Sequence, residues 1–330
     1  MTSSAAPGHD RPGVRDTPVS RADIVAAAAR LAPYVRRTPV MTVESALLGT
    51  PGEVVLKLEL LQHGGSFKPR GAANRVLLAR AAGLVPPAGL VTASGGNHGI
   101  AVSYVARALG LPAEVFVPSA SPAAKRERIS ALGATLVVAG DIYDDAQRAA
   151  DRRAAETGAL LVHPYDHSDV VAGQGTVGRE LADQARGLDT VLVAVGGGGL
   201  LAGVASWFRG EVKVVSVEPM TTPALERALV HGEPVEVGVS GLAADSLGAK
   251  RIGAVPWACA APFVHDAVLV DDDAIRAAQR RLWEETRLMV EPGGAAAAAA
   301  LMCGAYVPAP GERVAVIVCG GNVDPATITG

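Results

Sequence analysis

The chain has 330 residues, enough for about two domains and a sizeable buried core. Residues are 49% apolar but only 4% aromatic, with Ala, Gly and Val dominant; this excludes a disordered chain or an aromatic-rich sandwich and favours close-packed helices on a buried sheet. A formal charge of −3, with no basic cluster beyond Lys125-Arg126-Glu127-Arg128, excludes an electrostatic footprint for nucleic acid or an anionic membrane and leaves small-molecule chemistry.

Residues 1–20 mix Ser, Pro, Gly, Asp and Arg without an apolar core, so they read as a flexible tail and not a signal peptide. From there β-branched runs alternate with helical patterns, the signature of βαβ units and a mainly parallel sheet. Strands are predicted at 54–60, 90–93, 114–117, 135–138, 160–162, 191–195, 212–217 and 314–318. Helices are predicted at 71–82, 98–109, 123–132, 143–156, 200–208, 274–287 and 294–303, several of the segments ending at a glycine, as helix C-caps often do. Two uncharged stretches, 190–208 and 292–311, are rejected as membrane spans, because one carries four consecutive glycines and the other is mostly alanine with Pro308 and Pro310. Cys259, Cys303 and Cys319 show no CxxC spacing, so neither a disulfide framework nor a zinc site is expected and a reducing cytoplasm fits. Units 87–165 are expected to close a small domain, with 21–86 and 166–330 forming a large one.

Lys68 is one of five lysines and lies in Gly64-Gly65-Ser66-Phe67-Lys68-Pro69-Arg70-Gly71-Ala72. Pro69 suits the first turn of a helix and Ser66 its cap, which would put the ammonium by the positive end of the helix dipole and lower its pKa. An amine partly neutral near pH 7 can condense with a carbonyl cofactor, whose ring Phe67 could cover on one side. The same residues also suit an exposed lysine at a helix start, and the motif alone does not separate the two.

The run 191–195 leads into Gly196-Gly197-Gly198-Gly199 and Leu200-Leu201-Ala202-Gly203, the strand, glycine loop and helix of a phosphate cradle. Gly197-x-Gly199-x-x-Ala202 also nearly matches the dinucleotide fingerprint, with Glu218 where a ribose-binding acid would stand, so this loop alone leaves a nicotinamide reading open. Ser94-Gly95-Gly96-Asn97-His98-Gly99 forms a second anion nest, better suited to a substrate carboxylate and a ring hydroxyl than to another phosphate, since nothing cationic accompanies it in the sequence. His98, inside a helix start, reads more readily as a packing residue than a base. Cys319 in Cys319-Gly320-Gly321-Asn322 stands at a strand's C-terminal edge, where α/β sheets bind ligands, and reads as a cofactor contact or as a buried inert thiol. Glu291 in Glu291-Pro292-Gly293-Gly294 reads as a helix cap. Signatures of serine hydrolases, zinc proteases and P-loop kinases are missing.

In this order, and together with Ala172-Gly173-Gln174-Gly175-Thr176 and Val217-Glu218-Pro219, these motifs resemble the serine/threonine dehydratases of the fold-type II pyridoxal-phosphate (PLP) enzymes, a group that includes serine racemase. The likeness runs from Arg37-Thr38-Pro39 to Asn322, and Pro69 after the lysine matches the dehydratase form. It implies an α/β fold like that of the tryptophan synthase β chain, with two open, mainly parallel twisted sheets flanked by helices. It also implies PLP-dependent elimination from L-threonine or L-serine, giving 2-oxobutanoate or pyruvate and ammonia. Alternatives are a serine racemase or a dehydratase of another β-hydroxy amino acid.

Carried over residue by residue, the resemblance makes Lys68 the lysine that holds the cofactor and moves the Cα proton, with Phe67 against the ring. Asn97 would meet the ring hydroxyl and Cys319 the pyridine nitrogen. Gly196, Gly197, Gly198, Gly199 and Leu200 would hold the phosphate; Ser94, Gly95, Gly96 and Asn97 would hold the substrate carboxylate, with Asp245 nearby. A neutral thiol at the nitrogen would favour prompt loss of a β-hydroxyl over transamination. Racemases of the group carry serine at the position of Gly95, so racemisation is disfavoured here. The group's cation site uses Glu218 and positions occupied here by Thr222 and Ala224; Ala224 brings no carboxylate, which leaves at most a monovalent cation on Glu218. A homodimer is expected from the resemblance, and a C-terminal regulatory domain is not.

Overall fold

The computed structural model describes residues 18–329, so most of the expected N-terminal tail, 1–17, lies outside the described residues. Val19 and Ser20 do belong to the folded body. Val19 is buried, and Ser20 forms a reciprocal capping box with Asp23 at the start of helix Arg21–Leu31.

Among the described residues ten strands, β1 (Val40–Val43), β2 (Val54–Leu58), β3 (Leu90–Ala93), β4 (Ala113–Val117), β5 (Thr135–Val138), β6 (Leu160–Leu161), β7 (Thr190–Ala194), β8 (Lys213–Pro219), β9 (Val264–Val270) and β10 (Val314–Val318), form two sheets. The larger has the order β1-β2-β10-β7-β8-β9 and is parallel except for the antiparallel β1–β2 pair; the smaller, β5-β4-β3-β6, is wholly parallel. Strands β2, β7 and β10 are buried along their whole length, as expected of near-continuous Val, Ile and Leu runs covered on both faces. The alanine-rich helix Pro292–Met302 packs against β7, β8 and β10, its lack of bulk letting it lie close to the sheet.

The sequence pattern does not reveal the two edge strands of the large sheet, β1 and β9. Val264–Val270 carries His265 and Asp266 on an exposed edge, which masks its alternation. Helix Ser168–Gln184 was also missed, because Gly173, Gly175 and Gly178 disfavour a helix by about 1 kcal/mol each relative to alanine. Packing explains the glycines. A Cβ at Gly173 would lie 2.5 Å from the Arg70 carbonyl and 2.7 Å from the Gly71 Cα, and one at Gly175 would lie 3.0 Å from the Gly203 carbonyl. In return, a Cβ at Gly203 would stand 2.6 Å from the Val171 carbonyl. Helix Lys68–Ala81 and helix Gly199–Phe208 therefore both lie in backbone contact with Ser168–Gln184, which fixes the spacing of their N-terminal ends.

A buried ionic network locks the first turn of helix Lys68–Ala81. Arg70 is fully buried and donates to Glu59 through Nε (2.7 Å) and Nη2 (2.8 Å) and to Glu180 through Nη1 (2.7 Å). Lys57 Nζ donates to the other Glu180 oxygen at 2.7 Å and lies 4.0 Å from Glu59, so two cations balance two carboxylates. Breaking such a set is costlier than never having it, because the remaining charges stay buried. The Arg70→Met variant should lose about 3–5 kcal/mol of stability, read from the midpoint of urea unfolding at unchanged slope, with Arg70→Lys falling between it and the wild type.

Candidate active site

Strands β7 and β10 are parallel neighbours, so the segments after their C-terminal ends share one edge of the large sheet. Gly196, Gly197, Gly198 and Gly199 follow β7, and Cys319 follows β10. The loop before Lys68 is sewn onto the same edge. Ser66 bridges Gly320, the Phe67 amide donates to the Cys319 carbonyl at 3.1 Å, and the Gly321 amide donates to the Gly65 carbonyl at 2.9 Å. From the small sheet, β3 delivers Ser94, Gly95 and Gly96 ahead of helix Asn97–Leu109.

These segments enclose a narrow cleft. Phe67, Lys68, Asn97, the four glycines, Leu200 and Cys319, all named from the sequence, line it together. Ser94 stands just behind Asn97 and accepts the Gly96 amide at 3.2 Å. Glu218 lies elsewhere: it is buried, and its oxygens accept the amides of Leu225 (2.7 Å) and Glu226 (2.8 Å) at the start of helix Ala224–His231. That carboxyl is not free to take a ribose. No group of three or more His, Cys, Asp or Glu able to hold a metal occurs among the described residues.

Lys68 Nζ donates to the Pro164 carbonyl at 3.0 Å and sits 5.1 Å from the centre of the Phe67 ring. Its pKa is brought down to about 8, chiefly by burial, with the acidic groups Cys319 and Glu291 opposing the change. The cause differs from the helix dipole inferred from sequence. Phe67, not Ser66, occupies the cap position, and the Ser66 hydroxyl is buried without a partner. Burial holds the Cys319 thiol far above its usual range, and its Sγ donates to the Gly293 carbonyl at 3.5 Å, so it presents a neutral group. His98 is buried with Nε2 at 2.8 Å from the Val162 carbonyl; burial takes its pKa down to about 3, which keeps it neutral and makes it a weak base at ordinary pH.

The glycine loop is enforced from behind. A Cβ at Gly197 would run into the Tyr165 ring, one at Gly196 would meet the Leu247 carbonyl at 3.0 Å, and Gly198 has φ +89. Only backbone lines this wall, at the N-terminus of helix Gly199–Phe208, an arrangement that suits a phosphate dianion. A primary amine, a neutral thiol, an amide and an all-backbone anion cradle around one cleft fit pyridoxal phosphate.

The family model described as pyridoxal-phosphate dependent enzyme matches residues 31–320. The chain belongs to this family. It is 37% identical to L-threonine ammonia-lyase of Geobacter sulfurreducens over 305 residues, covering 91% of this chain and 75% of the relative. It is 38% identical to phenylserine dehydratase of Ralstonia pickettii over 310 residues, covering 91% and 92%. The structure of maize serine racemase superposes with a TM-score of 0.88 at 32% identity, covering 94% of this chain and 96% of that one. Membership in the PLP-dependent family removes the nicotinamide reading of the glycine loop, and both sheets are mainly parallel and flanked by helices, as the resemblance implied.

Several residues of this PLP-family cleft escaped the sequence. Tyr165 backs the glycine loop and lines the cleft. Glu291, read as a cap, makes no side-chain cap bond; it is buried in the cleft wall, where burial raises its pKa to about 7. Its Oε1 accepts from Asn97 Nδ2, while Asn97 Oδ1 accepts from Asn322 Nδ2 at 2.7 Å, so two polar side chains orient the amide. Lys125 reaches the same place from helix Ala123–Ala131, forming an ion pair with Asp245 and standing 3.9 Å from Glu291 Oε2. A cation from a distant part of the chain thus stands beside Asp245 and Glu291. Ser121 is the last: its hydroxyl fills the space that a Cβ at Gly95 would need.

In the apoprotein, acylation of the Lys68 amine should rise with pH about a midpoint near 8, since the reactive neutral form grows above its pKa; exposed lysines should respond only nearer 10, as peptide mapping across pH will show. Gly197→Ala should lower both the melting temperature and the affinity for pyridoxal phosphate, with Gly197→Ala/Tyr165→Ala recovering part of the first, because the collision is with that ring.

Proposed function

We propose that this chain is a PLP-dependent lyase acting on L-threonine or L-serine: the β-hydroxyl leaves as water, one water is taken up again as the unsaturated amine hydrolyses, and the net products are ammonia and 2-oxobutanoate or pyruvate. Relatives at 37% and 38% identity are named as an ammonia-lyase and a dehydratase of hydroxy-amino acids. The observation that carries the reading is a lysine amine with a pKa near 8 that shares one cleft with a backbone-only anion cradle and a neutral thiol.

In this reading the amides of 196–200 hold the cofactor phosphate, Asn97 meets the ring hydroxyl, Cys319 the ring nitrogen, and Phe67 lies against the ring. Bound pyridoxal phosphate supplies an electron-withdrawing ring that acidifies the substrate Cα–H. Lys68 in its neutral form accepts that proton, and its lowered pKa keeps a useful fraction neutral near pH 7. Ser94, Gly95 and Gly96 bind the substrate carboxylate through hydroxyl and amides, holding the Cα–H toward the amine. Thiol character at Cys319 places no negative charge at the ring nitrogen. The large unit, 21–86 with 166–330, would bring the lysine and the phosphate cradle, and the small unit, 87–165, the carboxylate loop.

Gly95 offers no proton to the face opposite Lys68, and the volume beside it is filled by Ser121, so we expect keto acid far in excess of D-serine when L-serine is supplied. Purified holoenzyme should be coloured, lose that colour on borohydride treatment, and form keto acid from L-threonine and L-serine. Lys68→Ala should lose the borohydride-sensitive band and fall about 100- to 10,000-fold in kcat. A coloured wild-type enzyme that forms no keto acid from any hydroxy-amino acid would refute the lyase assignment.

A further inference from the structure

The structure contains one charge arrangement that the elimination reading does not use. Lys125 belongs to helix Ala123–Ala131, beside the small sheet, whereas Asp245 and Glu291 stand on segments attached to the large one, so their pairing spans the cleft. The partners are unequally held. The Lys125 side chain is 10% exposed and Glu291 2%, but Asp245 is 47% exposed. Glu291 Oε2, the oxygen nearer Lys125, is buried without a hydrogen-bond partner. Asp245 also faces the carboxylate nest: the atoms closest to a Cβ on Gly96 would be the Asp245 carbonyl oxygen at 3.6 Å and its Oδ1 at 4.0 Å.

A buried ammonium therefore sits at the edge of an anion nest, neutralised by a half-exposed carboxylate on a short side chain. We propose that Lys125 is a specificity-determining residue that binds the α-carboxylate of the incoming amino acid, and that Asp245 is a built-in stand-in for that carboxylate, displaced into solvent when substrate enters. The inference rests on the reading of 94–97 as the carboxylate loop. The exchange is favoured because an incoming anion next to Asp245 would be repelled unless Asp245 leaves, and Asp245 can regain water, whereas Lys125 and Glu291 cannot. The carboxylate of an amino acid then gains a charge-assisted contact in addition to the amides of the nest. Lysine is suited to this role because its flexible stem can follow the new anion without a fixed fork geometry.

A structural tie and a substrate anchor differ in sign. If the pair only held the two sheets together, removing either member would weaken binding. As an anchor with a tethered competitor, Lys125 and Asp245 act oppositely. Calorimetric titration of the holoenzyme with L-alanine, which has no β-leaving group, reads binding apart from turnover. Lys125→Met should weaken L-alanine by at least about tenfold, Lys125→Arg should retain most of the affinity, and Asp245→Asn should tighten it severalfold. With L-serine as substrate the same changes should fall in KM more than in kcat. Melting temperatures identify any variant that has merely lost its fold, and Asp245→Asn, being half exposed, keeps the test open if Lys125→Met is unstable. Unchanged binding in folded Lys125→Met, or weaker binding in Asp245→Asn, would overturn the proposal. Failure of the elimination reading looks different: no keto acid from any hydroxy-amino acid, with L-alanine still bound in a Lys125-dependent manner.

Discussion

Helix Ser168–Gln184 lies between two neighbours at separations that only glycine allows. Gly173 meets the backbone of 70–71, and Gly175 meets Gly203. One contact holds the helix that begins at Lys68 and the other the helix that begins at the tetraglycine loop, so the relation between amine and phosphate cradle is set by three rigid helices in backbone contact. Interiors packed at crystal-like density transmit such constraints with little slack. A side chain at any of these glycines would move a reacting group, and small displacements of reacting groups are costly in rate.

Charge is distributed in two ways around this frame. Behind the lysine, Arg70, Lys57, Glu59 and Glu180 form a closed set in which each charge has a partner, and little there can change with ligand. In the cleft the groups are left incomplete: a lysine displaced from its ordinary pKa, a carboxyl with one free oxygen, and an ammonium whose partner faces solvent. Satisfied networks rigidify, whereas partly satisfied ones are where ligands and protons can enter. The contrast separates scaffold from chemistry on either side of one helical turn.

Much of this was legible because the cofactor region is written in local segments. The runs around Lys68, 94–99, 196–199 and 319–322 each join an element end to a short turn, and such turns carry their own residue requirements. The buried strands were visible as Val and Ile runs. What stayed hidden depends on tertiary approach. Helix Ser168–Gln184 is not legible locally because its glycines are unfavourable until neighbouring helices supply the contact that repays them. Lys125 looked like one member of a surface basic run, since nothing local says that its ammonium faces Asp245 across a cleft. Glu291 looked like a cap because a Glu-Pro-Gly start commonly is one, and only the fold turns its carboxylate inward toward Asn97.

The fit of the Ser121 hydroxyl into the notch beside Gly95 couples two positions far apart in the chain. Bulk added at 95 alone collides with both the hydroxyl and the Cβ of Ser121, and loss of the Ser121 side chain alone leaves a void, so each single step is penalised while a joint exchange to serine at 95 and glycine at 121 restores the packing. The mutational path between a glycine-bearing and a serine-bearing form of this loop therefore crosses a sign-epistatic barrier. Directed evolution toward a different stereochemical outcome would have to sample both codons together.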